Sequence, residues 1–334
     1  MANLVRSVVR QDVALAPSTV LDAIILPVNP ISFLLLTVRF LNETSTITAY
    51  EMIDGVMAFI SNIEVAFKGH VIIGGRLRNL AILNSLLTGF VPVQGNLQET
   101  DNNVRHVTFL LSFSRRPYWR EEAFPAVRSG ELTLSIESAA AQAGLDNVTL
   151  QIESVELLGT NPSRFLKYTT QTAVFNATGQ NDIDLPIGNP IFGILLDGTT
   201  VPVGASFNAT AGQMRILVDN VETDYALTNW ETLHGEMGRR LRGQFDWISH
   251  LHSVNAAGAG REDSEGPEFD AESINNFAYM DFDPLEDGSY ALPTEGKSRV
   301  QLRINADVAD TLRIHPVEMF NVSGLPQRVA PAGR

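Results

Sequence analysis

The sequence predicts an all-β protein made of two tandem sandwiches of one topology, with short helices in the loops between strands. Three observations carry this expectation. Short apolar runs rich in β-branched and aromatic residues recur at 31–41, 63–67, 104–113, 132–136 and 148–158, bounded by Gly, Pro, Asn and Asp. Several runs alternate apolar and polar residues with a period of two. The second half of the chain also repeats the order of the first. With 334 residues, 44% hydrophobic and 19% charged, the chain has apolar material for two cores and is too apolar to stay disordered.

Taken in order, Met1-Ala2-Asn3-Leu4-Val5-Arg6 lacks the uninterrupted apolar run of a secretory signal, and residues 1–16 read as an arm. The greasiest stretch, 23–38, is interrupted by Pro27, Asn29 and Pro30 and falls short of the roughly 20 residues of a membrane span. A soluble protein, or one that meets a membrane only at its edge, is expected. Residues 76–87 set Leu77, Leu80, Ile82, Leu83, Leu86 and Leu87 largely along one side, the pattern of an amphipathic helix. Leu132-Thr133-Leu134-Ser135-Ile136-Glu137 and Val300-Gln301-Leu302-Arg303-Ile304-Asn305 put their apolar side chains on one face of a strand. A second helix is expected from 222 to about 251 on Leu227, Trp230, Leu233, Met237, Leu241, Phe245 and Ile248, broken in two by Gly235, Gly238 and Gly243.

The repeat is ordered. Leu26-Pro27-Val28-Asn29-Pro30-Ile31 returns as Leu185-Pro186-Ile187-Gly188-Asn189-Pro190-Ile191, with Asn29 and Asn189 160 positions apart. Leu35-Leu36 and Leu195-Leu196 keep that step. Leu77-x-Asn79-Leu80-x-x-Leu83 matches Leu227-x-Asn229-Trp230-x-x-Leu233 at a step of 150. Leu150-x-Ile152 with Val155-Glu156 matches Leu312-x-Ile314 with Val317-Glu318 at 162. A unit this long is a whole domain, not a solenoid repeat.

Two β-sandwiches of about 150 residues with a helix between strands, each carrying a copy of the duplicated Pro-x-Asn-Pro-Ile region, resemble the double jelly-roll major capsid proteins of tailless icosahedral viruses with an internal membrane, of the tectivirus, corticovirus and finnlakevirus kind. The resemblance spans residues 17–322 and rests on architecture and that duplicated region, since the family offers no signature motif to match. It implies two tandem jelly rolls, 17–160 and 161–322, the second with an acidic loop insertion at 255–290, and a C-terminal tail at 323–334. It further implies a bacteriophage-type virion shell of homotrimers with pseudo-hexagonal outline and trimer–trimer lattice contacts. Minor capsid or vertex proteins would be further partners.

Charge patterning fits that expectation. The net charge of −14 disfavours specific nucleic-acid binding. Residues 255–290 hold ten of the acids and one base, Arg261, as a solvated outer loop would. Arg6 and Arg10 are the only charged residues among the first ten, and Arg328 and Arg334 the only ones after Val322. Basic, partly apolar ends suit anionic lipid headgroups; frayed termini are the plainer reading.

A search for chemistry returns little. The absence of cysteine removes disulfides, thiolate metal sites and thiol nucleophiles. His250-x-His252 and His234-Gly235-Glu236 lack metal-ligand spacing, and His70, His106 and His315 read as packed side chains in or beside strands. No Gly-x-Ser-x-Gly elbow and no phosphate loop occur. Acid pairs among Glu131, Glu137, Glu153 and Glu156 have no diagnostic spacing. No cofactor or catalytic residue is assigned. Asp281, Asp283, Glu286 and Asp287 crowd a turn at a density that suits Ca²⁺, or form a plain acidic turn. Arg115-Arg116-Pro117-Tyr118-Trp119-Arg120 interleaves bases and aromatics, which serves either an interface or single-stranded nucleic acid. Arg239, Arg240 and Arg242 near Trp247 carry the same ambiguity.

The function expected is therefore structural and not enzymatic. The alternative is a secreted two-domain β-sandwich that binds or cleaves carbohydrate, which would need convergent carboxylates and stacked tryptophans among Trp119, Trp230 and Trp247. A trimeric spike is a third class, which the duplication disfavours.

Overall fold

The computed structural model describes residues 3–42, 53–92, 94–95, 102–142, 144–200, 208–241, 274 and 276–325. The first half contains β1 (Asn3–Ala14), β2 (Val20–Ile25), β3 (Ile31–Asn42), α1 (Ile53–Phe59), β4 (Ile60–Phe67), β5 (His70–Gly75), α2 (Leu77–Thr88), β6 (Gln94–Gly95), β7 (Val104–Ser112), β8 (Leu132–Ser138) and β9 (Leu145–Leu158). The second half contains β10 (Arg164–Thr169), β11 (Gln171–Val174), β12 (Gly179–Asp184), β13 (Ile191–Gly198), β14 (Gln213–Val218), β15 (Val221–Asn229), α3 (Trp230–Leu241), β16 (Phe277–Asp281), β17 (Val300–Ala306) and β18 (Thr311–Asn321).

In the first half the sheet orders are β1-β9-β3-β7-β6 and β2-β8-β4-β5. In the second, β10 and β11 together take the place of β1, giving β10/β11-β18-β13-β16 facing β12-β17-β14-β15. Apart from the two-residue β6, which has no counterpart in the second half, the two orders match strand for strand. With β6 left aside and β10 and β11 counted as one strand, each is an eight-stranded sandwich with strands exchanged between sheets as in a jelly roll. The chain is thus two jelly rolls in tandem, as its sequence predicts. They share a sheet: β10 pairs in parallel with β5, Tyr168 against Ile73 and Thr169 against Gly74. That junction makes one nine-stranded sheet that crosses from one sandwich into the other.

Alternation gives the inner faces. On β8 the side chains of Leu132, Leu134 and Ile136 are buried, and on β17 those of Val300, Leu302 and Ile304. β13 differs, being buried along its whole length, because α2, α3 and the first sandwich cover the face away from its own core. Its near-continuous apolar run, Ile191-Phe192-Gly193-Ile194-Leu195-Leu196, is the sequence of a strand covered on both faces.

The duplicated motif has a physical role in each copy. Asn29 donates its side-chain amide to buried Glu156 at 2.7 Å, and Asn189 donates to buried Glu318 at 3.1 Å. The strand register sets Ile31 against Glu156 and Ile191 against Glu318. The third partner differs: Ser7 and Ser154 hydroxyls bond Glu156, whereas Lys167 pairs with Glu318 at 3.0 Å. Ser7 and Lys167 are themselves 160 positions apart.

Four expectations are corrected. Residues 3–14 are not an arm but β1, the edge strand paired antiparallel to β9. Helix α2 is buried on most sides, not one, because it lies between the sandwiches; it ends at Gly89, whose φ of 71° and N–H bond to Ser85 close the last turn. The first quarter of the expected 222–251 helix is strand β15: Thr223 and Tyr225 are half-buried on alternate positions, the pairing with β14 shifts register after Thr223, and Leu227 is exposed. Helix α3 then runs unbroken through Gly235 and Gly238 on the buried stripe Trp230, Leu233, Met237 and Leu241. The acidic insertion at 255–290 contains a core strand, β16, and the residues described after it are not free acids, as set out below. Arg261, Glu262, Asp263, Glu265, Glu268, Asp270, Glu272, His250, His252, Arg242, Trp247, Arg328 and Arg334 lie outside the described residues.

Candidate functional site

The loop after β7 carries Arg115 into a dry position between the sandwiches. Its guanidinium bonds Glu122 with Nε at 3.1 and 3.2 Å and reaches Asp283, in the second sandwich, at 2.6 Å. All three side chains are almost wholly enclosed. Phe192 of β13 lies 4.6 Å from the Arg115 guanidinium carbon and Trp119 lies 5.5 Å away, so the cation is also flanked by π faces. Burial alone would lower the Arg115 pKa; the bonds to Glu122 and Asp283 outweigh it and raise the value.

A second arginine completes the network. Arg240 at the end of α3 grips Asp281 in a bidentate pair of 2.8 and 2.7 Å and reaches Glu286 at 3.3 Å. Arg239 adds a bond to Asp281 at 2.9 Å, and Arg164 one to Glu122 at 3.0 Å. Arg116 stands 3.5 Å from Glu286. Tyr225 accepts the Asp281 N–H at 3.0 Å, and burial pushes its phenol up to about 12. Five arginines thus meet four carboxylates, and the cluster is close to neutral.

The two basic runs and the acidic turn that the sequence presents separately are therefore one structure, an ionic clasp between the jelly rolls. Of the four acids weighed as Ca²⁺ ligands or a plain acidic turn, Asp281, Asp283 and Glu286 pair with arginines, and Asp287 accepts the Ser289 N–H at 2.8 Å. Among the described residues no three His, Asp or Glu side chains converge as metal ligands. Arg115 faces inward, which removes it from any nucleic-acid surface, while Arg116 and Tyr118 stay exposed. Trp119 lies 5.4–5.6 Å from the guanidinium carbons of Arg115, Arg116 and Arg164, and Trp230 is core. Neither tryptophan offers a stacking platform for sugar.

Of the other acids considered, Glu131 pairs with Lys68, Glu153 with Arg6 at 2.6 Å, and Glu156 with its motif asparagine, while Glu137 is exposed on β8. Sequence reasoning missed a buried polar chain behind α2. Asn79 Nδ2 donates to Asp197 at 2.9 Å and to His315 Nε2 at 2.7 Å, and Thr170 meets His315 Nδ1 at 3.3 Å. Burial, with help from the Arg313 charge, pushes the His315 imidazole down to about 3, so it is neutral. The polar Asn79 inside an apolar helix face was the one available signal.

Tandem jelly rolls bridged by a common sheet define the class of double jelly-roll folds. Among solved structures, the chain is similar to the STIV MCP, with a TM-score of 0.66 and 13% identity over 95% of this chain and 96% of that one. The major capsid protein P2 of bacteriophage PM2 gives a TM-score of 0.59 at 14% identity, over 95% and 98%. The PBCV-1 virus capsid gives 0.57 at 8% identity, over 96% and 93%. At these identities the likeness is one of fold. No family model and no curated protein sequence matches the chain.

Proposed function

We propose that the chain is the major capsid subunit of an icosahedral virion, a structural protein without catalytic activity. The observation that supports this most is the double jelly roll itself, which matches several capsid proteins over nearly their full length as well as its own. The reading gives a homotrimer of pseudo-hexagonal outline, in which each chain supplies two sandwiches of like shape, and a lattice of such trimers. Minor or vertex proteins would be further partners. The clasp suits the role, since a shell unit must hold its two sandwiches at one angle.

The finer part of the proposal concerns β1. Leu4, Arg6, Val8 and Arg10 alternate along its exposed face, a mix of apolar and cationic side chains that fits an anionic lipid surface beneath the shell. Co-sedimentation with phosphatidylserine vesicles should fall severalfold in an R6E/R10E variant; equal binding removes this contact.

The subunit reading is tested by light scattering after size exclusion. A species of about 110 kDa, three times 36.5 kDa, is expected. A chain that stays monomeric at high concentration overturns it.

A further inference from the structure

The join between the two sandwiches is made by one pair of strands, and the duplication supplies a second, equivalent pair. β5 and β15 correspond: each follows a two-residue turn in left-handed backbone, Lys68-Gly69 and Asp219-Asn220. Each pairs back onto the strand before it, β4 or β14, and runs into a helix, α2 or α3. β1 and β10 correspond as well, with Arg6 opposite Val155 on β9 and Tyr168 opposite Val317 on β18. Within the chain β5 joins β10 in parallel, and Ile73 and Tyr168 at that join are fully buried. The other two strands of the set, β15 and β1, each end a sheet among the described residues. Both are exposed along most of their length, Leu4 and Val221 included.

A long strand edge with apolar side chains beside it is a template for a further strand. We propose that β15 of one copy pairs in parallel with β1 of a second copy, repeating between chains the junction that β5 and β10 make within one. The inference rests on the trimeric capsid reading and names the surface through which its copies meet. Equivalence fixes the register. Ile73 lies opposite Val65 and Thr223 opposite Ile216, each of those partners two residues from the end of its strand. The Ile73–Tyr168 pair therefore maps onto Thr223 of one chain and Arg6 of the next. Charge supports the match, since exposed Glu222 and Asp224 flank Thr223 while β1 exposes Arg6 and Arg10. Arg6 and Glu222 already hold surface partners, Glu153 and Arg215, and the contact extends those pairs into a network. The contact is head to tail: each chain offers one β15 and one β1, so copies add in one rotational sense until the ring closes. With two sandwiches per chain and a like turn at every junction, three copies make a ring of six sandwiches. A junction of two residue pairs takes β1 at Arg6 and Ser7 and leaves Val8 and Arg10 outside it, where a lipid surface can still meet them.

The chain has no cysteine, so paired substitutions place the only thiols. Residues opposite each other on neighbouring strands lie about 4.8 Å apart, within reach of a disulfide. Arg6→Cys/Thr223→Cys, oxidised after purification, should shift on a non-reducing denaturing gel from 36.5 kDa to a covalent trimer of about 110 kDa and no larger. Arg6→Cys alone and Thr223→Cys alone should stay at the chain mass, because a head-to-tail contact brings unlike sites together. Should the Thr223 substitution prevent folding, Arg6→Cys with exposed Asp224→Cys and a short bismaleimide carries the same expectation. Native mass by light scattering, read on the same variants, separates the two failures. A trimer that stays unlinked, or one linked through Arg6→Cys alone, overturns this junction and leaves the capsid subunit standing. A monomer overturns the subunit reading, and this contact with it.

Discussion

Arg115 sits where removal of one cation strands two carboxylates, Glu122 and Asp283, in a site closed to water. Breaking such a pair from one side costs about 3–5 kcal/mol. Arg164 retains a bond to Glu122, so Arg115→Met is expected near about 3 kcal/mol in denaturant unfolding. A loss under about 1 kcal/mol would show that the clasp carries little of the fold. His315 gives a pH signature of opposite origin. Its folded pKa is about 3 against an ordinary 6.5, so the unfolded chain takes up the proton first as pH falls. Its contribution is intact above pH 6.5, declines steadily between 6.5 and 3, and is spent below 3, with a ceiling of roughly 4–5 kcal/mol. His315→Asn should flatten the stability profile across that window, and a profile parallel to the parent's would refute this. These residues also mark the limit of legibility. The sequence displays Arg115, Arg239, Arg240 and the acids at 281–287 plainly, but only packing of one sandwich on the other tells which acid meets which base.

Helix α3 and strand β15 separate what periodicity can resolve from what it cannot. Leu227 lies three residues before Trp230, a step that fits a helix face as well as chance, and the strand that claims it is set by pairing with β14. Two substitutions read the difference. Leu227→Thr on the exposed strand face should change stability by less than about 0.5 kcal/mol. Leu233→Ala, in the second core, should cost about 2–5 kcal/mol. Gly235 lies inside α3 facing open space, so Gly235→Ala should stabilise by about 0.5–1 kcal/mol in thermal unfolding. A loss at that position would mean that the helix is broken there after all. By contrast β8 and β17 were legible, because their apolar side chains alternate with polar ones; on β17 the polar face is itself buried at Gln301, yet the period still shows in the sequence. Strand β1 was not: its burial is shallow, and its pairing with β9 reaches across more than a hundred residues.

The two sandwiches were legible as a duplication because Asn29 with Glu156, and Asn189 with Glu318, solve the same packing problem twice. The join between them was not, since a parallel pairing as short as that of β5 and β10 leaves no trace in composition. With a sheet in common, an ionic clasp and a core cluster that takes in Phe192, Phe277 and Met319, the halves should unfold together. Calorimetry is expected to give one endotherm whose calorimetric and van't Hoff enthalpies agree for the monomeric state. Two resolved peaks would show independent sandwiches. The continuous sheet has a geometric consequence. A panel stiffened from edge to edge by backbone hydrogen bonds has no crease along which to fold. If copies of this chain tile a closed surface, the angle between neighbouring tiles must be set at their mutual borders, and a change of radius would alter those borders while each tile moves as one body.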